Sequence, residues 1–305
     1  MNVVSLFNGM NTGRQALENV GIKVDKYYSS EIKPYAIELT QHHFPDTIQV
    51  GDVTKWRDWD IDWKSIDLIL SGSPCQDLSA AGKRAGINGK KSSLFFVFIE
   101  ILEHIKVLNP KVLFLQENVG SASKLDVGIM SRALGVYPVR INSLLLTAQK
   151  RDRYYWSNMK TKETMFDLVT DIPQPNEKEI FLKDIINFQS DNKYLTDEQI
   201  QRGINKNKAQ TLHTGTSMGK VNFPTDINGK GKCLIVMNIL GSREVNHIQD
   251  DFGIRILNKI ELCRMQGFPD NYCDILTYNH SASLLGDGWT LPIIEHIFKL
   301  INNEM

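Results

Sequence analysis

The chain has 305 residues, 42% hydrophobic and 23% charged, which excludes a disordered or fibrous protein and allows one large core with a smaller second lobe. Its 35 basic residues balance 35 acidic ones, and the net charge of +0 excludes a strong overall field for a polyanion. No apolar run approaches the roughly 18 residues needed to span a bilayer, and MNVVSLFNGM lacks the basic segment and cleavage site of a secretory signal, so the sequence predicts a soluble, cytoplasmic protein with no membrane partner.

In chain order, short apolar runs alternate with helix-like segments, the pattern of a parallel sheet with crossover helices. Residues 3–7 predict a strand and 12–20 the helix behind it. Between them Ser5-Leu6-Phe7-Asn8-Gly9-Met10-Asn11-Thr12-Gly13 is a strand running through a glycine-bearing turn into a helix, where a nucleotide-like cofactor binds such sheets. It is not GxGxxG, and an ordinary strand-to-helix turn reads the same way. A second strand over 26–30 ends at Glu31, where an acid can accept both hydroxyls of a ribose. A helix over 34–43 opens on proline, and a short strand over 48–50 leads to Asp52 in Gly51-Asp52-Val53, a carboxylate suited to an adenine amino group. Either acid has a plainer alternative, a solvated loop residue or a helix cap.

A fourth strand over 66–70 runs into Ser73-Pro74-Cys75-Gln76. Pro74 fixes its own φ and biases Ser73 toward an extended backbone, so Cys75 is offered stiffly at the sheet edge where reacting groups gather. It is the candidate nucleophile; the alternative is a small buried hydrophobe. Residues 80–91 carry Gly82, Gly86 and Gly89 with Lys83, Arg84, Lys90 and Lys91, which suits a loop that closes over a polyanion or an ordinary exposed loop.

An apolar helix over 94–108 and a fifth strand over 112–115 lead to Gln116-Glu117-Asn118-Val119. A carboxylate at the end of a buried strand is costly unless paired, so Glu117 either donates to a substrate ring in its protonated form or is satisfied by neighbouring amides. Strands over 139–146 and 154–156 follow, and between them Gln149-Lys150-Arg151-Asp152-Arg153 puts Arg151 and Arg153 on one face of an extended segment, a donor pair for oxygen atoms. The four cysteines, Cys75, Cys233, Cys263 and Cys273, lack zinc spacing, which predicts free thiols and no metal.

This reading gives a doubly wound, mostly parallel α/β domain over 1–160, a small loop-rich second domain over 161–251, and a segment over 252–305 that returns to the first. In the last segment 257–265 predicts a helix stopped at Gly267-Phe268-Pro269, and 292–300 a closing helix. Between Arg202 and Lys232 six basic residues face one acid, which fits either a solvated face or a surface laid on phosphates.

SPCQ, ENV and QKRDR, preceded by SLFNGMNTG and followed by RILNKIELCRMQGFP and LLGDGWTLP, resemble in kind and order the motifs of DNA cytosine carbon-5 methyltransferases. The wording GSPCQDLS, LFFVF and RYYW is similar to the catalytic domain of the animal de novo DNA methyltransferases. The resemblance implies a Rossmann-like S-adenosylmethionine-dependent fold acting on double-stranded DNA in a bacterial or phage-infected cell, near the nucleoid. It implies Cys75 as the thiolate that adds to carbon-6 of a flipped cytosine, and Glu117 as the acid at ring nitrogen 3 and the exocyclic amine. Arg153 then holds the base carbonyl with Arg151 as its companion, and Pro74, Gln76 and Asn118 lie against the base. The cofactor positions carry over as Phe7, Asn8, Gly9, Met10 and Asn11, with Glu31 on the ribose, Asp52 and Val53 on the adenine edge, and Asp287, Gly288 and Trp289. Asp287 departs from the asparagine common in the family. Two rivals stay open: the same chemistry on transfer RNA, and a catalytically silent DNA-binding relative. A nicotinamide dehydrogenase fails for want of GxGxxG.

Overall fold

A computed structural model describes residues 1–74, 94–185, 235–237, 247–250 and 253–302. Cys75, Gln76, the 80–91 loop and the basic run 202–232 lie outside the described residues. The chain divides into two compact units: Met1–Asn142 with Asp152–Gln174 and Ile293–Met305, and Ser143–Arg151 with Pro175–Pro292.

The first unit is built on strands β1 (Asn2–Leu6), β2 (Lys26–Ser30), β3 (Ile48–Gln49), β4 (Leu68–Ser71), β5 (Leu113–Val119), β6 (Val139–Asn142) and β7 (Asp152–Ser157). They form one sheet in the order β3-β2-β1-β4-β5-β7-β6, with β1 to β5 paired in parallel and β7 antiparallel to both its neighbours. This is the predicted doubly wound sheet. Strand order reverses between β1 and β4, so a crevice opens outside their carboxyl ends, where Phe7–Asn11 and Ser73–Pro74 leave the sheet.

Helix α1 (Thr12–Asn19) starts directly from that turn. Gly13 lets it sit close to the sheet: a Cβ there would lie 2.5 Å from Leu70 Cδ1 and 3.0 Å from the Tyr27 hydroxyl. Helix α2 is Pro34–His43, and α3 (Leu94–Leu108) buries Phe95, Phe98, Ile101, Leu102 and Ile105 at helical spacing against Val4, Ile69 and Phe114.

Some predicted bounds move for local reasons. Strand β4 starts at Leu68 because Ile66 closes the short helical turn Trp63–Ser65, and β6 stops at Asn142 because Ser143–Leu145 winds into another. Strand β5 runs on to Val119, so Glu117 lies within it. Helix α4 (Lys124–Leu134) was not predicted, although Ser123 caps it through Asp126 N at 3.1 Å and Gly135 ends it at φ 73°. A hairpin of β8 (Thr161–Glu163) and β9 (Leu168–Thr170) completes the strands of this unit.

The second unit, which takes in parts of the predicted loop-rich domain 161–251 and of the segment 252–305, holds an antiparallel sheet of β10 (Ile235–Met237), β11 (His247–Asp250) and β12 (Gly253–Ile256), with helices α5 (Leu182–Ile185), α6 (Lys259–Gln266) and α7 (Tyr278–Asp287). Helix α6 begins two residues later than predicted because Asn258 is its cap, accepting from Glu261 N at 2.9 Å while Glu261 Oε2 accepts from Asn258 N at 2.8 Å. The same carboxylate takes two bonds of 2.8 Å from Arg255, and both side chains are fully buried. Helix α8 (Leu291–Asn302) closes the chain. No described helix is long and apolar enough to cross a membrane, and the described residues contain no cluster able to hold a metal ion.

Candidate active site

The turn after β1 departs from ordinary backbone at alternate residues: Phe7, Gly9 and Asn11 have φ of 55°, 58° and 64°. Glycine tolerates this, but phenylalanine rarely does, and strain of this kind is held where function needs a shape. Asn8 N donates to Ser30 O and Asn11 N to Asn8 O, each at 3.1 Å, which ties the turn to the end of β2. Asn8 also accepts from the Tyr27 hydroxyl at 3.3 Å. Burial pushes that phenol well above its ordinary range, so it stays a neutral donor. Asn11 caps α1 without a side-chain hydrogen bond. Met10 and Asn11 are both 0% exposed, so these two residues lie wholly inside the fold. Both heteroatoms of the Asn11 amide lack a partner.

Glu31 reaches back under this turn. Its Oε2 accepts from Gly9 N at 2.8 Å, and its Oε1 accepts from Ile32 N at 2.7 Å and Lys33 N at 2.9 Å. Three of the roughly four acceptor sites of a carboxylate are thereby used, which leaves room on Oε2 for about one further donor. Ser30 Oγ donates to Gly51 O at 2.7 Å and draws in the third turn. There Asp52 Oδ1 accepts from both the backbone N–H and the hydroxyl of Thr54 at 2.9 Å, capping the helical turn Val53–Asp58. These bonds, the backbone one first, hold its carboxyl below the ordinary value of 3.8. The plainer alternative for Asp52, a helix cap, is therefore realised, with Oδ2 outside that cap.

A second group of predicted residues lies along β5 and β7. Glu117 stands opposite Tyr155 and Val119 opposite Arg153, so Glu117 and Arg153 are diagonal neighbours on one face, within reach of long side chains. Arg153 Nε meets Glu117 Oε1 at 2.8 Å, with the side chains 18% and 11% exposed. This is the pairing a buried carboxylate requires. Two features that went unnoticed in the sequence support it. Gly120 N donates to Asp152 O at 3.0 Å, and Arg140 grips the Asp152 carboxylate through two nitrogens, which fixes the start of β7. On the other face of β5, Asn118 is 1% exposed, with Nδ2 3.3 Å from Ser73 Oγ and Oδ1 accepting from Val119 N at 2.8 Å.

The second unit carries the other predicted residues. Arg151 lies one residue before β7, and its carbonyl accepts from Ser143 N at 2.9 Å. Its Nη2 donates to Gly288 O at 2.7 Å and Asp287 O at 3.3 Å, a cation on the carbonyl end of α7. Asp287 is the exposed last residue of that helix, and Trp289 is half-buried beyond its cap. Cys263 and Cys273 are free and buried.

Over nearly its whole length the chain is similar to the Type II methyltransferase M1.ScrFI of Lactococcus lactis subsp. cremoris, at 27% identity over 97% of this chain and 76% of that one. The Type II methyltransferase M.HpaII of Haemophilus parainfluenzae is 27% identical over 99% of this chain and 89% of its own. Among solved structures, the Entamoeba histolytica methyltransferase EhMeth shares the fold, with a TM-score of 0.67 at 17% identity over 100% of this chain and 98% of that one. The family model described as C-5 cytosine-specific DNA methylase matches residues 1–303, so the chain belongs to the family of DNA cytosine-5 methyltransferases.

Proposed function

We propose that this enzyme transfers a methyl group from S-adenosylmethionine to carbon-5 of a cytosine swung out of double-stranded DNA, with Cys75 as the nucleophile. The observation that carries the reading is the Glu117–Arg153 pair at the carboxyl edge of β5, beside the strand that leads into Ser73-Pro74-Cys75. Carbon-5 of cytosine is a poor nucleophile, and addition of the Cys75 thiolate to carbon-6 moves electron density onto the ring. Glu117 then meets ring nitrogen 3 and the exocyclic amine where charge develops, with Arg153 holding both the carboxylate and the base carbonyl. After methyl transfer, loss of the carbon-5 proton and elimination of the thiol restore the enzyme.

The cofactor supplies the electrophilic methyl when bound. The residues at the first three turns fit such a group: an uncapped α1 amino end and strained backbone at Phe7–Asn11 for its methionyl part, the remaining acceptor site of Glu31 for a ribose hydroxyl, and the second oxygen of Asp52 with Val53 for the adenine edge. Asp287, Gly288 and Trp289 join them in the reading by family membership, as Arg151 joins Arg153, and Pro74 and Gln76 lie against the base. Residues 161–251, with the basic run 202–232, serve as the target-recognition region of an enzyme at work on DNA in the cytoplasm.

The test is incubation with labelled cofactor and either mixed duplex DNA or transfer RNA, followed by mapping of 5-methylcytosine. DNA carrying 5-fluorocytosine should trap wild type covalently, because fluorine cannot leave as a proton does. An adduct on Cys233, Cys263 or Cys273, or label in transfer RNA alone, overturns the reading.

A further inference from the structure

The residues that lead out of β4 are polar and buried: Ser71 is 0% exposed and Ser73 is 4% exposed. Strand alternation puts Glu117 on one face of β5 and Gln116 and Asn118 on the other. Gln116 stands opposite Ser71 in the parallel register and is 0% exposed. Its Nε2 donates to Ser73 Oγ at 2.9 Å and to its neighbour's carbonyl, Glu117 O, at 2.7 Å, while Asn118 Nδ2 lies 3.3 Å from the same hydroxyl. A polar group in the interior is costly unless bonded, so this amide and this hydroxyl hold each other in place.

Ser73 is followed by Pro74, whose ring leaves little torsional play, and Cys75 is two residues from Ser73, within about 7 Å of chain. We infer that Gln116 is a positioning residue: through Ser73 it fixes where the chain leaves the sheet two residues before Cys75, so that the addition step depends on a bond made by the same strand that carries Glu117. One strand then sets both halves of the addition step in a common frame. The inference rests on the reading of Cys75 as nucleophile.

A purely structural role makes a different prediction, and a pair of substitutions separates the two. Gln116→Met keeps the volume and removes the donor, and Ser73→Ala removes the acceptor. Ser73→Ala leaves one of the two Gln116 Nε2 hydrogens without its acceptor, and Gln116→Met leaves Ser73 Oγ only its 3.3 Å contact with Asn118, so each lowers the melting temperature, whereas the double variant removes both groups and recovers part of the loss. If the bond aims the thiol, single-turnover methylation and 5-fluorocytosine trapping fall about 10- to 100-fold in both singles and stay low in the double, with cofactor affinity unchanged. Rates that recover along with stability in the double variant, or wild-type rates in the singles, overturn the inference. Cys75→Ala is measured in parallel. If it is inactive while the double variant is fully active, only the positioning role falls; if it still methylates, the nucleophile reading falls and this inference with it.

Discussion

Gly120→Ala tests whether the Glu117–Arg153 pair depends on how closely β5 and β7 approach. A Cβ at Gly120 would lie 2.8 Å from Asp152 O and 3.0 Å from Asp152 C. Both are backbone atoms that cannot swing away as the end of a side chain would. Ordinary contact begins near 3.4 Å, so the start of β7 must retreat by about half an ångström. That retreat stretches the 3.0 Å bond from Gly120 N to Asp152 O and shifts Arg153 against a carboxylate now 2.8 Å away. Overpacking of this kind costs about 1–3 kcal/mol. A displacement of under 1 Å at a reacting group can lower turnover by about 10- to 100-fold. The control is Gly128→Ala inside α4, where the nearest atom to the new Cβ is the end of Arg132 at 3.5 Å. It should stabilise by about 0.5–1 kcal/mol, as glycine in a helix costs that much relative to alanine. Denaturant melts and single-turnover methylation read both effects. Gly120→Ala with the stability and rate of wild type would refute the dependence on this close approach.

Arg153→Ala removes the ion-pair partner of a carboxylate only 9% exposed and should cost about 2–4 kcal/mol, whereas Glu117→Gln keeps an acceptor beside the guanidinium and costs less. Loss of single-turnover rate in Glu117→Gln, with cofactor affinity intact, therefore reports chemistry, and an unchanged rate sinks that role. Asn11 sits at φ 64°, so Asn11→Gly should keep stability and cofactor affinity, while Asn11→Ala should cost about 1–2 kcal/mol; equal melts for the two would contradict a purely backbone role for that turn. Asp52→Ala removes a cap and should cost about 0.5–1 kcal/mol at neutral pH. Because the Asp52 carboxyl is held below 3.8 in the fold, its stabilisation is present above that value and is lost as pH falls through the folded-state value. The gap between wild type and Asp52→Ala should thus be constant near neutrality and close in acid, and a gap that widens in acid would show the cap is wrongly assigned.

The sequence by itself determined the sheet. Apolar runs of strand length, separated by helical periods and by turns bearing Gly, Pro and acids, leave few topologies besides a doubly wound one, and helices 34–43 and 94–108 matched the structure to the residue. Order along the chain also put the candidate residues at one edge, since they follow strand after strand at the same end of the sheet. The unpredicted strands of the second unit are short, three or four residues each, too short to show a period.

Partners were left to the tertiary structure. The spacing of Arg151 and Arg153 in sequence is that of a pair, yet one meets the carbonyls of Asp287 and Gly288 and the other meets Glu117. Asp52 reads equally as ligand or cap until Thr54 is seen against it. Gln116 and Ser73 are separated by 43 positions and carry no periodic signal, and only the parallel register of β4 on β5 brings an amide to a hydroxyl at 2.9 Å. A local pattern encodes which face a residue takes, because pleat and helix repeat over a few residues. What that face meets depends on strand order and register, which are set by the burial of the whole core at once.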